Sequence, residues 1–471
     1  MKTINQIYIN GEFVTPHGTE TFDLISPTDN SQLGTIRLAD EQDTRLAIAA
    51  AKKAFKTFSL TTPTERIVYL QRIYDSVERR LDDIVAAMLE EYGGTLQFSR
   101  EAAKACLTFI SSNIELLKTF EFQQTIGSSE VVLEPLGVVG IITPWNASNG
   151  FICSKLSTAL AAGCTAVIKP SEMSAIQTQV ITECLHEAGL PAGVFNIVTG
   201  RGEIVGNEIT HNPDVAKITF TGSTFVGKTI ARGAVDTMKR VTLELGGKSP
   251  NILLEDADFE TAVPMAAMLA FMNSGQACVA GTRLLVPETH LEQVKTIMKA
   301  TVENLKVGDP AHPDTVVGPM VSKKQYQRVQ DYIRIGLDEG AEILVGGEGH
   351  PDGLEAGNFV KPTVFINVTN DMRIAREEIF GPVLSIITYK TEEEAVEIAN
   401  DTNYGLFAYI SSADENKARN MAAKIQSGRV AINQFTFDLV APFGGYKHSG
   451  IGREYGKYGL EAFLEPKAIS F

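Results

Sequence analysis

Gly137-Val138-Val139-Gly140-Ile141-Ile142-Thr143-Pro144-Trp145-Asn146 is a short apolar run that ends in a proline, the chain's only tryptophan and a primary amide. Similar runs recur at 166–169, 194–198, 217–221 and 240–245, with helix-like segments between them at 151–162, 176–188, 202–210 and 225–235. Strands this short, apolar along their length and alternating with helices are buried on both faces, the pattern of parallel βαβ units. The chain is therefore of the α/β class. Ligands in such sheets bind at the carboxyl ends of the strands. Binding groups are expected in the loops at 143–149, 169–175, 199–202 and 221–227.

Working outward, a second α/β region starts near Ser249. Strands are expected there at 252–254, 283–286, 342–345, 383–388, 406–410 and 429–433, and helices at 290–305, 323–338, 392–401 and 415–426. Residues 1–35 read as short β structure, with Asn10-Gly11 between Ile7-Tyr8-Ile9 and Phe13-Val14 as a hairpin signal. A helix is expected over 44–58. A second runs from Thr62 as N-cap and Pro63 as first helical residue to near Gly93-Gly94, and a third spans 97–118. The tail at 466–471 is an apolar strand with no later chain to cover it, and such strands often pair with another subunit.

A chain of 471 residues is long for one core, so two or three domains are expected. The formal charge of −15 argues against nucleic acid or an anionic membrane as partner. The five cysteines (106, 153, 164, 184, 278) show no metal-type spacing and read as reduced thiols. No signal-peptide pattern and no membrane-length apolar stretch are present. The expectation is a soluble cytoplasmic enzyme without a metal.

The loops at the strand ends carry the chemistry. Asn273-Ser274-Gly275-Gln276-Ala277-Cys278-Val279-Ala280-Gly281 links an apolar helix-like run to a strand, and small residues flank Cys278. A thiolate there suits nucleophilic attack; the bland alternative is a small buried hydrophobe. Asn146 offers an amide donor for an oxyanion, or a simple helix cap. Lys169-Pro170-Ser171-Glu172 places a lysine and a glutamate at the second strand's end, suited to ribose hydroxyls or merely to solvent. Phe220-Thr221-Gly222-Ser223 leads into a helix, and Gly200-Arg201-Gly202 precedes another. Such turns bind phosphate through backbone N–H groups, although neither has dinucleotide-fingerprint spacing. Glu244, in an apolar strand end, is either a general base of raised pKa or a salt-bridged structural acid. Glu377-Glu378-Ile379-Phe380-Gly381-Pro382 and Pro442-Phe443-Gly444-Gly445-Tyr446-Lys447 complete what reads as a lined cleft.

Together these blocks resemble the aldehyde dehydrogenase superfamily from about residue 5 to 471. Pro-Trp-Asn, Lys-Pro-Ser-Glu, Phe-Thr-Gly-Ser, Glu-Leu-Gly-Gly-Lys, Gly-Gln-x-Cys, Glu-Glu-Ile-Phe-Gly-Pro and Pro-Phe-Gly-Gly-x-Lys occur in family order. The resemblance implies a parallel-sheet cofactor domain (1–118 and 136–246), an α/β catalytic domain (247–450) and a small β oligomerisation ribbon (119–135 and 451–471) of a homodimer or homotetramer. It implies Cys278 as nucleophile, Asn146 as oxyanion donor, Glu244 as general base, and Lys155 and Glu454 as proton-relay positions. It implies NAD rather than NADP as cofactor, with Trp145, Lys169, Ser171, Glu172, Gly202, Gly222, Ser223, Glu378 and Phe380 around it. The NAD preference rests on Glu172, whose carboxylate repels a 2′-phosphate.

The reaction implied is oxidation of a small-molecule aldehyde to the acid through a thiohemiacetal and a thioester on Cys278. A CoA-acylating relative generally lacks the base, so Glu244 argues against it; intact Cys278, Asn146 and Glu244 argue against a non-enzymatic relative. The chain departs from the common family pattern just after Asn146, with Ala147-Ser148-Asn149 where many relatives have an aromatic residue and a proline. Gly150, Phe151 and Ser154 then predict an open, partly polar substrate tunnel without an arginine, with Phe435 and Phe437 as an aromatic wall at its mouth.

Overall fold

The structure, a computed structural model, describes residues 1–435 and 438–471. Its first half is built on an eight-stranded sheet whose centre is five parallel strands in the order Arg240–Glu244, Val215–Thr221, Val138–Ile142, Thr165–Lys169, Phe195–Ile197. These are the five apolar runs, and Val138–Ile142 and Thr165–Lys169 are buried at every residue. The antiparallel Ile7–Ile9 and Glu12–Val14 hairpin extends one edge. Its turn is made by Asn10 and Gly11 at φ 55 and 88, the left-handed pair that an Asn-Gly two-residue loop demands. Gly450–Ile451 pairs antiparallel with Arg240–Glu244 at the other edge, bringing the distant C-terminal region beside Glu244.

The helices begin and end largely where their caps put them. The helix Glu41–Phe58 starts a few residues before the expected 44, because Asp40 caps it in a reciprocal box with Asp43. Thr62 and Pro63 open the next helix as expected, with Glu65 closing the box. That helix is not continuous to Gly93, however. It breaks at Arg80, resumes as Leu81–Ala87 and leaves through a wide turn at Met88–Tyr92.

The second half is a seven-stranded sheet in the order Glu342–Val345, Thr363–Ile366, Val383–Tyr389, Arg283–Pro287, Pro250–Leu253, Phe407–Ser411, Arg429–Ile432, all parallel except the first. Thr363–Ile366 is absent from the sequence reading, since four residues behind a proline carry no period that separates strand from loop. A separate three-stranded antiparallel ribbon joins Gln123–Ile126, Ser129–Pro135 and Leu464–Ser470. The C-terminal strand thus pairs within its own chain on one side, and its other edge stays open. The expected ribbon segment 451–471 is really two pieces. Ile451 lies in the first sheet, and Leu460 and Phe463 are buried in the first core; only Leu464–Ser470 belongs to the ribbon. Among the described residues no helix is long and apolar enough to cross a membrane.

Candidate active site

Cys278 sits where a helix is forcibly ended. After Phe259–Phe271 the chain passes through Asn273, Ser274 and Gly275 at φ 50, 56 and 72, three successive left-handed residues that unwind it. Gly275 is obligatory, because a Cβ there would lie 2.2 Å from the Gly381 carbonyl. A turn closed by Ala280 N–H to the Ala277 carbonyl (3.1 Å) then presents Cys278 at its corner. Gln276 anchors the near side: its amide oxygen accepts from Val321 N–H (3.0 Å), and its NH2 donates to the Pro319 carbonyl (3.3 Å) and the Tyr92 hydroxyl (3.4 Å). On the far side the Tyr409 hydroxyl donates to the Val279 carbonyl at 2.9 Å.

Asn146 and Glu244 arrive at strand ends of the first sheet, with Val215–Thr221 between their two strands. The Asn146 amide donates to the Gln276 carbonyl at 3.0 Å, which fixes it against the thiol's own loop. Asn146 is therefore no helix cap: the next helix, Ser148–Ala162, has Ala147 at that position and no side-chain cap. Glu244 is buried at its strand end with neither carboxylate oxygen hydrogen-bonded among the described residues. Gly444 makes room for it, since a Cβ there would lie 2.7 Å from the Glu244 carboxylate. Burial, and then the charge of Glu454, raise the Glu244 pKa well above the carboxylate range. Burial likewise pushes the Cys278 thiol up to about 12, helped by Glu378 and Glu244. Behind Glu244, buried Lys155 forms an ion pair with Glu454 and donates to Thr219 Oγ1 at 3.1 Å.

The loops at the strand ends carry the other expected groups. Lys169 reaches Glu172 at 3.2 Å, its pKa lowered by burial despite that carboxylate. Arg201 also approaches Glu172, at 3.6 Å, a contact that sequence reasoning missed because the two stand 29 positions apart. Ser171 and Ser223 act as N-caps here, Ser223 accepting from Val226 N–H at the head of the helix Thr224–Ala234. Gly202 faces open space, with no other part of the described chain within 4 Å of a would-be Cβ beyond its own neighbours and helix backbone, and Gly222 begins the turn into Ser223. Glu378 accepts from Gly247 N–H at 3.0 Å, and Gly246 leaves it space. Phe380, at φ 64, meets Trp145 edge-on with centroids 5.6 Å apart.

The expected tunnel residues are less polar in place than in sequence. Gly150 and Ser154 are buried, while Phe109, Phe151, Phe435 and Tyr455 are among the half-buried side chains of this region. Phe437 lies outside the described residues. Tyr92, Gln276, Tyr409 and Tyr455 were not singled out from the sequence. Gln276 carried a signal, standing two residues before the cysteine; the tyrosines carried none.

Fold and site together define an α/β protein built on two large sheets, with a thiol set beside the carboxyl ends of their strands. The aldehyde dehydrogenase family model matches residues 13–469. A 3-succinoylsemialdehyde-pyridine dehydrogenase of a Pseudomonas species is 45% identical over 471 residues, covering 100% of this chain and 99% of that protein. An aldehyde dehydrogenase C mutant of Pseudomonas syringae, solved with NAD+ and octanal, superposes at TM-score 0.97 with 42% identity, covering 99% of this chain and 96% of that one. An aldehyde dehydrogenase of Bartonella henselae gives TM-score 0.98 at 41% identity over the whole of both chains. The chain belongs to the aldehyde dehydrogenase family.

Proposed function

We propose that this protein oxidises an aldehyde to its carboxylic acid with NAD, through a thiohemiacetal and then a thioester on Cys278 that Glu244 hydrolyses. The observation that carries the reading is Glu244, a buried carboxylate with no hydrogen-bond partner among the described residues, near enough to Cys278 to raise its pKa. A buried acid left unsatisfied costs free energy that a purely structural role does not explain.

The loops at the strand ends fit a dinucleotide: an open glycine turn at Gly202, the exposed Ser223 heading a helix N-terminus, and a carboxylate beside a lysine at a parallel strand's end. Lys169, Ser171 and Glu172 would hold the adenosine ribose; Gly202, Gly222 and Ser223 the pyrophosphate; and Trp145, Glu378 and Phe380 the nicotinamide end. Bound NAD supplies the hydride acceptor. In this scheme the Cys278 thiolate, its proton already passed to Glu244, bonds to the aldehyde carbon, and the alkoxide formed accepts from the Asn146 amide and the Cys278 N–H. After hydride loss the acyl group remains on sulfur as a thioester. Glu244 takes a proton from water as that water attacks, the C–S bond breaks, and the acid leaves. Glu454 and Lys155 pass the proton on from Glu244.

The domain division, 1–118 with 136–246, then 247–450, then the ribbon, is kept as part of this reading, with 451–463 counted with the first domain. The open edge of Leu464–Ser470 and the edge strand Arg429–Ile432 are the surfaces through which a second copy would add. Sedimentation of the purified chain as a monomer would remove that part. A cytoplasmic location fits the free thiols.

The test is NADH formation from propanal and NAD without coenzyme A. Turnover is expected in the unmutated protein and loss of it in Cys278→Ala, with NAD binding by calorimetry nearly unchanged. A requirement for coenzyme A, or substantial activity in Cys278→Ala, overturns the reading.

A further inference from the structure

Asn273 and Ser274, in the loop that leads to Cys278, both hold left-handed backbone angles: φ 50 with ψ 38, and φ 56 with ψ 31. That conformation is uncommon for residues with a Cβ and persists only where the surroundings enforce it. The enforcing contacts are explicit. Ser274 Oγ accepts from Gly318 N–H at 2.8 Å, and the Gln276 side chain is tied to Val321 and Pro319.

This bend places the Asn273 side chain. Its NH2 donates to the Gln276 carbonyl at 3.1 Å and to the Asn146 carbonyl at 3.4 Å. Its own oxygen accepts from the hydroxyl of buried Tyr92 at 2.8 Å, and that hydroxyl accepts in turn from the Gln276 NH2 at 3.4 Å. Tyr92 thereby fixes which end of the Asn273 amide faces Gln276.

The ring of bonds closes on the oxyanion donor. The Gln276 carbonyl accepts from Asn273 and, at 3.0 Å, from the Asn146 amide, so both of its lone pairs are engaged. A primary amide carries two N–H groups. One of Asn146's is held by Gln276, and no other described residue takes the second. The amide is planar, so the direction of the first bond sets that of the second. The pinned Gln276–Ala277 peptide also precedes the Ala277–Cys278 peptide, whose N–H is the other donor of the proposed scheme.

We propose that Asn273, oriented by Tyr92, is a positioning residue for the oxyanion donor: it fixes the Gln276 carbonyl that anchors Asn146, and so aims the second Asn146 N–H at the developing alkoxide. Donors set before the reaction starts stabilise that charge without reorganising. The inference rests on the aldehyde-oxidising reading above and adds two residues to it.

The test is a double-mutant cycle on single-turnover NADH formation, with enzyme in excess over propanal and NAD saturating. Asn273→Gly suits the left-handed backbone and removes only the side chain. It should slow hydride transfer about tenfold, as for one lost hydrogen bond, with NAD affinity by calorimetry unchanged. Asn146→Ala should slow it by ~10²–10³-fold, and Asn273→Gly should cost nothing further in that background. Tyr92→Phe, which keeps the buried ring, should slow the parent about threefold and likewise leave Asn146→Ala unmoved; it carries the test if Asn273→Gly does not fold. A folded variant that leaves the parent rate unmoved, or costs the same factor in both backgrounds, overturns the inference, because a merely structural residue acts whether or not Asn146 is present. With propanal oxidised by the parent, such results sink the positioning role alone. If the parent oxidises no propanal without coenzyme A, the reading above falls and the inference with it.

Discussion

Replacing Glu244 by Gln keeps the shape of the side chain and removes its ability to take a proton. Both carboxylate oxygens are buried without a partner among the described residues, and burial with Glu454 nearby raises the pKa. Two effects of opposite sign follow. Without the base, water attack on the thioester should slow by ~10²–10⁴-fold, or ~3–5 kcal/mol of barrier. Hydride loss precedes that step and should survive. Stopped-flow absorbance should therefore show a burst of about one NADH per active site and then a slow steady state.

Stability should move the other way. A carboxyl whose folded pKa is raised favours folding in its protonated form, so its contribution is fully present below the unfolded pKa and is lost as pH rises through the folded one. Gln escapes that loss. The variant should match its parent below about pH 4, the unfolded glutamate range, and be more stable on the alkaline side. The gain is on the order of 1 kcal/mol, and each kcal/mol shifts Tm by ~2–4 °C for a unit of 150–250 residues. An unchanged steady-state rate without a burst, or a variant that melts lower at alkaline pH, would refute the reasoning, because either result makes Glu244 a paired structural acid.

Cofactor choice is expected to turn on Glu172. A unit charge of a 2′-phosphate ~4 Å from its carboxylate is repelled by ~4 kcal/mol at an effective dielectric of ~20, but Lys169 at 3.2 Å and Arg201 at 3.6 Å offset much of this. NAD should be favoured over NADP by about tenfold in kcat/KM, or ~1.4 kcal/mol. Glu172→Ser should narrow that ratio and Arg201→Gln widen it; a ratio unmoved by either removes Glu172 from cofactor selection. Tyr409→Phe leaves the Val279 carbonyl without its donor and loosens the turn bearing Cys278. It should slow the NADH burst by ~5–10-fold, for ~1–1.4 kcal/mol, with NAD affinity kept; an unchanged burst rate would show that the hydroxyl does not position the thiol.

The parallel sheet was legible because its evidence is local. Five apolar runs alternating with helix-like segments mark parallel βαβ units though not their order, and caps such as Thr62-Pro63 and the Asn10-Gly11 turn act within a few residues. The same locality explains the errors. Asp40 gives no cap signal because it precedes the periodic part of its helix, and Thr363–Ile366 is too short to show a period.

The site divides along the same line. Cys278, Asn146 and Glu244 stand in short motifs whose residue types announce their chemistry, so sequence alone nominated them and the strand ends that carry them. What the chain could not say in one dimension was which neighbours those groups would meet. Glu454 becomes the partner of Lys155 across 299 positions, and Tyr409 reaches Val279 across 130. The pKa values of Glu244 and Cys278 rise because both are desolvated when two sheets and a C-terminal loop close around them. Burial and long-range pairing are properties of the packed chain, and only packing turned a glutamate in an apolar strand into a carboxylate without a hydrogen-bond partner among the described residues.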